Sequence, residues 1–241
     1  MKKSHVVAVV AVGVVSLLTA ACSGKKKAGS PCKGSESTCV DKKTAIACRG
    51  GTFSEVACAG PAGCSKYQDH ANCDTSVANA GDPCLGEDDE YACSLDKKRV
   101  LVCKGTRFEP HLECRGKAGC NILGHAFSCD TSTAEKGDTC KTPGANACSV
   151  DAKQLLVCRD GKFALHRYCR GKNGCANVGE TPSCDETIAL AGDPCGIPGQ
   201  IVCSVDGKSE LVCQSGVFMK SITCKTACTV TDRPGHPIDC R

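Results

Sequence analysis

The sequence predicts a small disulfide-rich, mainly β fold: four tandem six-cysteine modules in an elongated array. Three observations predict it. Cysteine supplies 25 of the 241 residues, about a tenth of the chain and several times its usual share. Twenty-four of them fall into four sets of six: Cys32, Cys39, Cys48, Cys58, Cys64 and Cys73; Cys84, Cys93, Cys103, Cys114, Cys120 and Cys129; Cys140, Cys148, Cys158, Cys169, Cys175 and Cys184; Cys195, Cys203, Cys213, Cys224, Cys228 and Cys240. Five Phe, three Tyr and no Trp leave few of the side chains that dominate core burial. A reduced cytosolic enzyme does not fit this composition. A net charge of +4 is too mild to indicate nucleic acid.

The first element is not part of the fold. Residues 1–21 run from a basic start (Met1-Lys2-Lys3) through an uncharged stretch, Val6 to Leu18, to small residues, Thr19-Ala20-Ala21. This is the layout of an export signal, and the apolar stretch is short of the ~20 residues of a membrane span. Leu17-Leu18-Thr19-Ala20-Ala21-Cys22-Ser23 resembles the lipobox of bacterial lipoprotein precursors, with Thr19 where Leu is commoner. The resemblance implies a diacylglycerol thioether on Cys22, cleavage before it, and, with Ser23 next, sorting to the outer membrane, on its periplasmic face or the cell surface. The alternative is an ordinary signal cut after Ala20 or Ala21, with Cys22 as a disulfide partner. The even count of the other cysteines favours lipidation, because an odd Cys in an exported chain needs an explanation. Residues 22–30 then read as a lipidated Cys and basic tether. Lys25, Lys26 and Lys27 lie close to the headgroups or serve as a solvated spacer.

The modules follow, at residues 31–74, 82–130, 138–185 and 193–241. Their first cysteines are 52, 56 and 55 residues apart, a strong repeat signal. In each, the second Cys is expected to begin a strand, Asp-x-Lys to form a turn, and the third Cys to lie on the next strand. A Gly-containing hairpin turn comes next, then an outgoing strand led by Phe53, Phe108, Phe163 or Phe218. Alternation puts Phe108, Leu112 and Cys114 on one face, likewise Phe163, Leu165 and Cys169, and Phe218, Ile222 and Cys224. The joining segments read as one or two helical turns, capped by Asp74, Asp130 or Asp185 and ended by Gly81, Gly137 or Gly192. Six cysteines allow 15 pairings, and the spacing does not choose among them. Globular scaling gives about 25 Å per module and roughly 100 Å for four in a row.

Enzyme motifs are missing: there is no G-x-S-x-G, no H-E-x-x-H and no phosphate-binding Gly loop, so no catalytic residues are assigned. The six His do not recur at one repeat position. His111 and His166 match each other, three residues after Phe, and read as exposed strand residues. No C-x-x-C pair suggests a metal site, and beyond the covalent lipid no cofactor is expected. The most regular polar feature is the Asp-x-Lys turn: Asp41 and Lys43, Asp96 and Lys98, Asp151 and Lys153, Asp206 and Lys208. It is either turn chemistry with a solvated Lys or a ladder of identical contacts. Arg115, Lys117, Arg170 and Lys172 add cations suited to an anionic glycan or headgroup. No aromatic is expected among them, which argues against nucleic acid.

The order Cys, Leu-x-Cys, Gly-x-Phe, Cys, Gly-x-Cys resembles small cysteine-rich carbohydrate-binding modules of the chitin-binding type over about 30 residues per module. Those present Trp or Tyr to sugar rings; this chain has Phe there. The expected function is a non-enzymatic, lipid-anchored cell-envelope protein presenting four modules for adhesion or partner binding. An envelope protein or polysaccharide is the expected partner, and nucleic acid is not. The alternatives are a structural spacer without a ligand and a glycan-binding or inhibitor-like array.

Overall fold

The computed structural model describes residues 26–84, 90–124, 126–179, 181–233 and 236–241. The signal stretch and Cys22 lie outside the described residues. Among the described residues every regular element is a strand, and no helix is long and apolar enough to cross a membrane. The second module shows the plan. Val77–Ala78 pairs in parallel with Tyr91–Ser94, which pairs antiparallel with Arg99–Lys104, which pairs with Arg107–Glu113. A separate hairpin, Cys120–Leu123 with Ala126–Cys129, completes it. The third module repeats this with Thr133–Ala134, Asn146–Ser149, Gln154–Arg159, Lys162–Tyr168 and the hairpin Cys175–Val178 with Thr181–Cys184. The fourth uses Ile188–Ala189, Ile201–Ser204, Ser209–Gln214, Val217–Thr223 and Cys228–Arg233 with His236–Cys240. The first has Ser37–Cys39, Thr44–Arg49 and Thr52–Ala57, then Cys64–Tyr67 with His70–Cys73.

The turns form where the sequence puts them. Asp160 and Gly161 have φ of 51° and 76°, and Gly50–Gly51 and Ser215–Gly216 are alike. Positive φ at both central residues makes the type I′ turn, whose twist matches the flanking strands. The second Cys, however, does not begin its strand. Cys39 is the last residue of its strand, and Cys93, Cys148 and Cys203 are next to last.

The joining segments are strands, not helical turns. Asp74 does accept from the Ser76 N–H (3.0 Å), but its other oxygen takes the Ala62 N–H of the preceding loop (2.9 Å). The chain then runs extended, so that Ala78 enters the next module's core, and the Gly81 N–H donates to the Phe108 carbonyl (2.8 Å). Each joining segment therefore belongs to the module after it. The tether behaves likewise from residue 26 on. Gly29 N–H donates to the Phe53 carbonyl, and Lys26 pairs with Glu36 at 2.6 Å.

Alternation also fails on the outgoing strands, for one local reason. In the second module Val100 faces Leu112 and Leu101 faces Pro110, so His111 is an extra, unpaired residue. Such a bulge flips the residues beyond it to the other face. Phe108 thus packs with Ala78, Cys84, Ala92 and Leu101, whereas Leu112 and Cys114 pack with Cys93, Val100 and Cys120 on the opposite side. The third module bulges at His166, separating Phe163 from Cys169. The fourth bulges at Ser221, and Ile222 is exposed rather than buried. The first has no bulge, and its Cys48-to-Cys58 step is one residue shorter. In register Val56 therefore matches Leu112, not His111. His111 and His166 are half-buried at the bulges, not exposed strand residues.

The cysteines pair within modules in one order: first with third, second with fifth, fourth with sixth. The first bridge lies on the Phe side of the sheet, and the other two pin the hairpin to the far side. Bridges across 15 to 27 residues each contribute about 3–4 kcal/mol by the chain-entropy argument. A buried Phe contributes about 2–3 kcal/mol. The second module also buries Val100, Leu101 and Leu112, so packing and the three crosslinks contribute comparable amounts and neither alone offsets the entropy of folding.

Candidate functional site in the third module

The Asp-x-Lys turns are built alike. Asp96, Asp151 and Asp206 each accept from a Ser hydroxyl two residues earlier (2.6, 2.5 and 2.5 Å) and from the amide N–H of Lys98, Lys153 or Lys208 (3.0 Å). Asp41 accepts from the Lys43 amide at 2.7 Å. The Ser hydroxyl first, then the Lys amide, holds the Asp96, Asp151 and Asp206 carboxyls below the usual range. The turn carbonyls have a second task. Lys97 and Lys98 accept from the N–H groups of Cys120 and Cys114, and Ala152 and Lys153 from those of Cys175 and Cys169. The turn thereby fastens the second half of the module to the first. Lys43, Lys98, Lys153 and Lys208 remain exposed.

The cations after the fourth Cys divide into two kinds. Arg115 donates through Nε to Asp138 Oδ2 (2.7 Å) and through Nη2 to Glu135 (3.1 Å). Arg170 holds Asp193 with both nitrogens (2.7 and 3.2 Å). Asp138 and Asp193 belong to the next module, so these arginines clamp modules together. Hydrogen bonding to Asp138 or Asp193 holds each guanidinium above its ordinary pKa. Lys117 and Lys172 are exposed. Sequence reasoning missed the partners, although Arg after the fourth Cys occurs only in the second and third modules, each followed by a G-D-x-C segment.

Four of the twelve predicted contact residues converge on one cleft of about 680 Å³ in the third module: Asp151, Lys153, Arg170 and Lys172. Gln154, Asn173 and Tyr168 also line it, with Ile188 and Val205 contributed by the fourth. The Arg170 guanidinium stacks over the Tyr168 ring at 4.6 Å, a favourable cation–π arrangement. An aromatic therefore does lie among the cations, against the sequence expectation; Tyr168-Cys169-Arg170 was its signal. The other eight candidates are not gathered there: Asp41 and Lys43 lie in the first module, Asp96, Lys98, Arg115 and Lys117 in the second, Asp206 and Lys208 in the fourth.

The modules differ at the Tyr168 position. It holds Ala57 in the first, Glu113 in the second and Thr223 in the fourth, and Glu113 is tied to Arg99 at 2.6 Å. The repeated Phe residues are buried, with 1–4% exposure, so none is open to stack on a sugar. Cys84, Glu90 and Cys103 lie close enough together to suggest a metal site. Both sulfurs are already bonded to each other, and a disulfide offers no thiolate.

The class defined by these features is an array of crosslinked β modules with a mixed cationic and aromatic cleft in the third module. No protein-family model, no curated protein and no solved structure matches the chain.

Proposed function

We propose that this is a non-enzymatic protein of the bacterial cell envelope, anchored by lipid on Cys22, that binds an envelope partner through the third-module cleft. The observation that carries the reading is the convergence of Asp151, Lys153, Arg170 and Lys172 beside Tyr168 on a crosslinked scaffold. Rigid support matters because a preordered site loses little freedom when it binds. The lipid half of the reading rests on the residues around Cys22 and on the pairing of the other cysteines. Two variants test it. Cys22→Ser is expected to leave the membrane fraction for the soluble one; unchanged fractionation would contradict the anchor. Purified chain is expected to sediment with isolated cell walls, and the triple variant Tyr168→Ala, Lys153→Ala, Lys172→Ala is not.

The clamps at Arg115 and Arg170 favour a second reading, a spacer whose modules are fixed end to end without a ligand. Under it the triple variant and the parent chain behave alike in the sedimentation experiment.

A further inference from the structure

We infer that the third-module cleft takes an acidic saccharide, a sugar chain bearing carboxylates, and that each protein chain holds one such site rather than four. The inference rests on the binding reading above and names its ligand class. Charge comes first. Asp151 is engaged by Ser149 and the Lys153 amide, and Arg170 is held by Asp193. The exposed cations of the lining with no acidic partner among the described residues are Lys153 and Lys172, so the cleft favours an anion. Shape comes second. Tyr168, with the Arg170 guanidinium 4.6 Å over its ring, gives the lining an aromatic surface of the kind on which sugar rings pack. Gln154 places a side-chain amide donor and acceptor in the lining for hydroxyls.

A peptide fits less well. Ile188 and Val205 are the only aliphatic side chains larger than Ala in the lining, too few for an enclosed apolar anchor pocket. The neighbouring strand, Lys162–Tyr168, is the edge of its sheet but is bulged at His166, and a bulge makes an edge a poor template for strand addition. The single-site count follows from the Tyr168 position. The second module places the Glu113–Arg99 ion pair there, and the first and fourth have small side chains.

Titration calorimetry of the full chain in detergent with tetragalacturonate tests the inference. It is expected to show one ligand per chain, with binding that weakens as salt rises. Lys153→Ala and Lys172→Ala should each weaken it roughly tenfold, as loss of one charge-assisted contact does, and Tyr168→Ala by at least as much. Lys162→Ala, an exposed strand residue outside the cleft, should bind like the parent. Four sites per chain, equal binding of neutral chitotetraose, or no binding would overturn it. So would tighter binding of polyglutamate or of phosphatidylglycerol vesicles, which points to a peptide or a lipid surface. The cell-wall sedimentation result is independent. If cleft-dependent sedimentation persists while tetragalacturonate fails, the ligand class is wrong and the binding reading stands.

Discussion

At the scale of single residues the structure depends on close backbone approaches that only glycine permits. A Cβ on Gly119 would lie 2.7 Å from the Lys97 carbonyl oxygen, the acceptor that fastens the hairpin to the turn, and the residue has φ of +64°. Gly105 has almost the same φ, +63°, but a Cβ there meets open space. The pair separates conformational cost from steric cost. Gly105→Ala should destabilise by about 1 kcal/mol. Gly119→Ala should lose about 2–4 kcal/mol, because a backbone acceptor cannot move aside. Equal denaturant midpoints for the two variants would show that the approach to Lys97 is not close in solution. Residues also divide between structure and recognition in a way that types alone do not reveal. Arg115 and Lys117 stand two positions apart in one loop, yet the first is bound to Asp138 and the second is free to meet solvent.

At the scale of elements the bulge is the feature that organises each four-stranded sheet. It moves Leu112 and Cys114 away from the face of Phe108, giving the sheets of the second and third modules two buried sides. The first module reaches the same result without it, since Val56 already has opposite parity to Phe53. Deleting His111 should therefore be tolerated. Peptide mapping of that variant is expected to recover Cys84–Cys103, Cys93–Cys120 and Cys114–Cys129; scrambled pairs would contradict the equivalence of the two registers. The cysteine spacing made the repeat, the turns at Asp-x-Lys and the Gly-Phe hairpins legible. The extra residue was present too, as a step of 11 instead of 10 between the third and fourth cysteines, but spacing alone does not say whether an insertion falls in a turn or a strand. The joining segments misread as helix because Asp and Gly serve caps and extended Asx turns alike; what decided was the tertiary pairing of Val77–Ala78 with Tyr91–Ser94. The cleft was half legible, through Asp151, Lys153, Arg170 and Lys172, while Gln154 and Val205 reach it only by folding.

At the scale of the whole molecule, the crosslinks act within modules, and arginine side chains act between them. Arg115–Asp138 joins the second module to the third, and Arg170–Asp193 the third to the fourth. The first junction has Ala59 at the Arg position and uses an Arg49 donation to the Thr106 carbonyl (3.3 Å) instead. Replacing both arginines, Arg115→Ala with Arg170→Ala, should leave all disulfides intact while raising protease cleavage in residues 131–137 and 186–192. Unchanged cleavage would show that the clamps do not couple the modules. Apolar packing alone is too small to hold so short a module, and its sulfur bridges are what keep it folded. Limited proteolysis of the purified chain with and without reductant tests this claim most directly. The account predicts discrete resistant fragments without reductant and rapid digestion to small peptides with it; resistance that survives full reduction would contradict it.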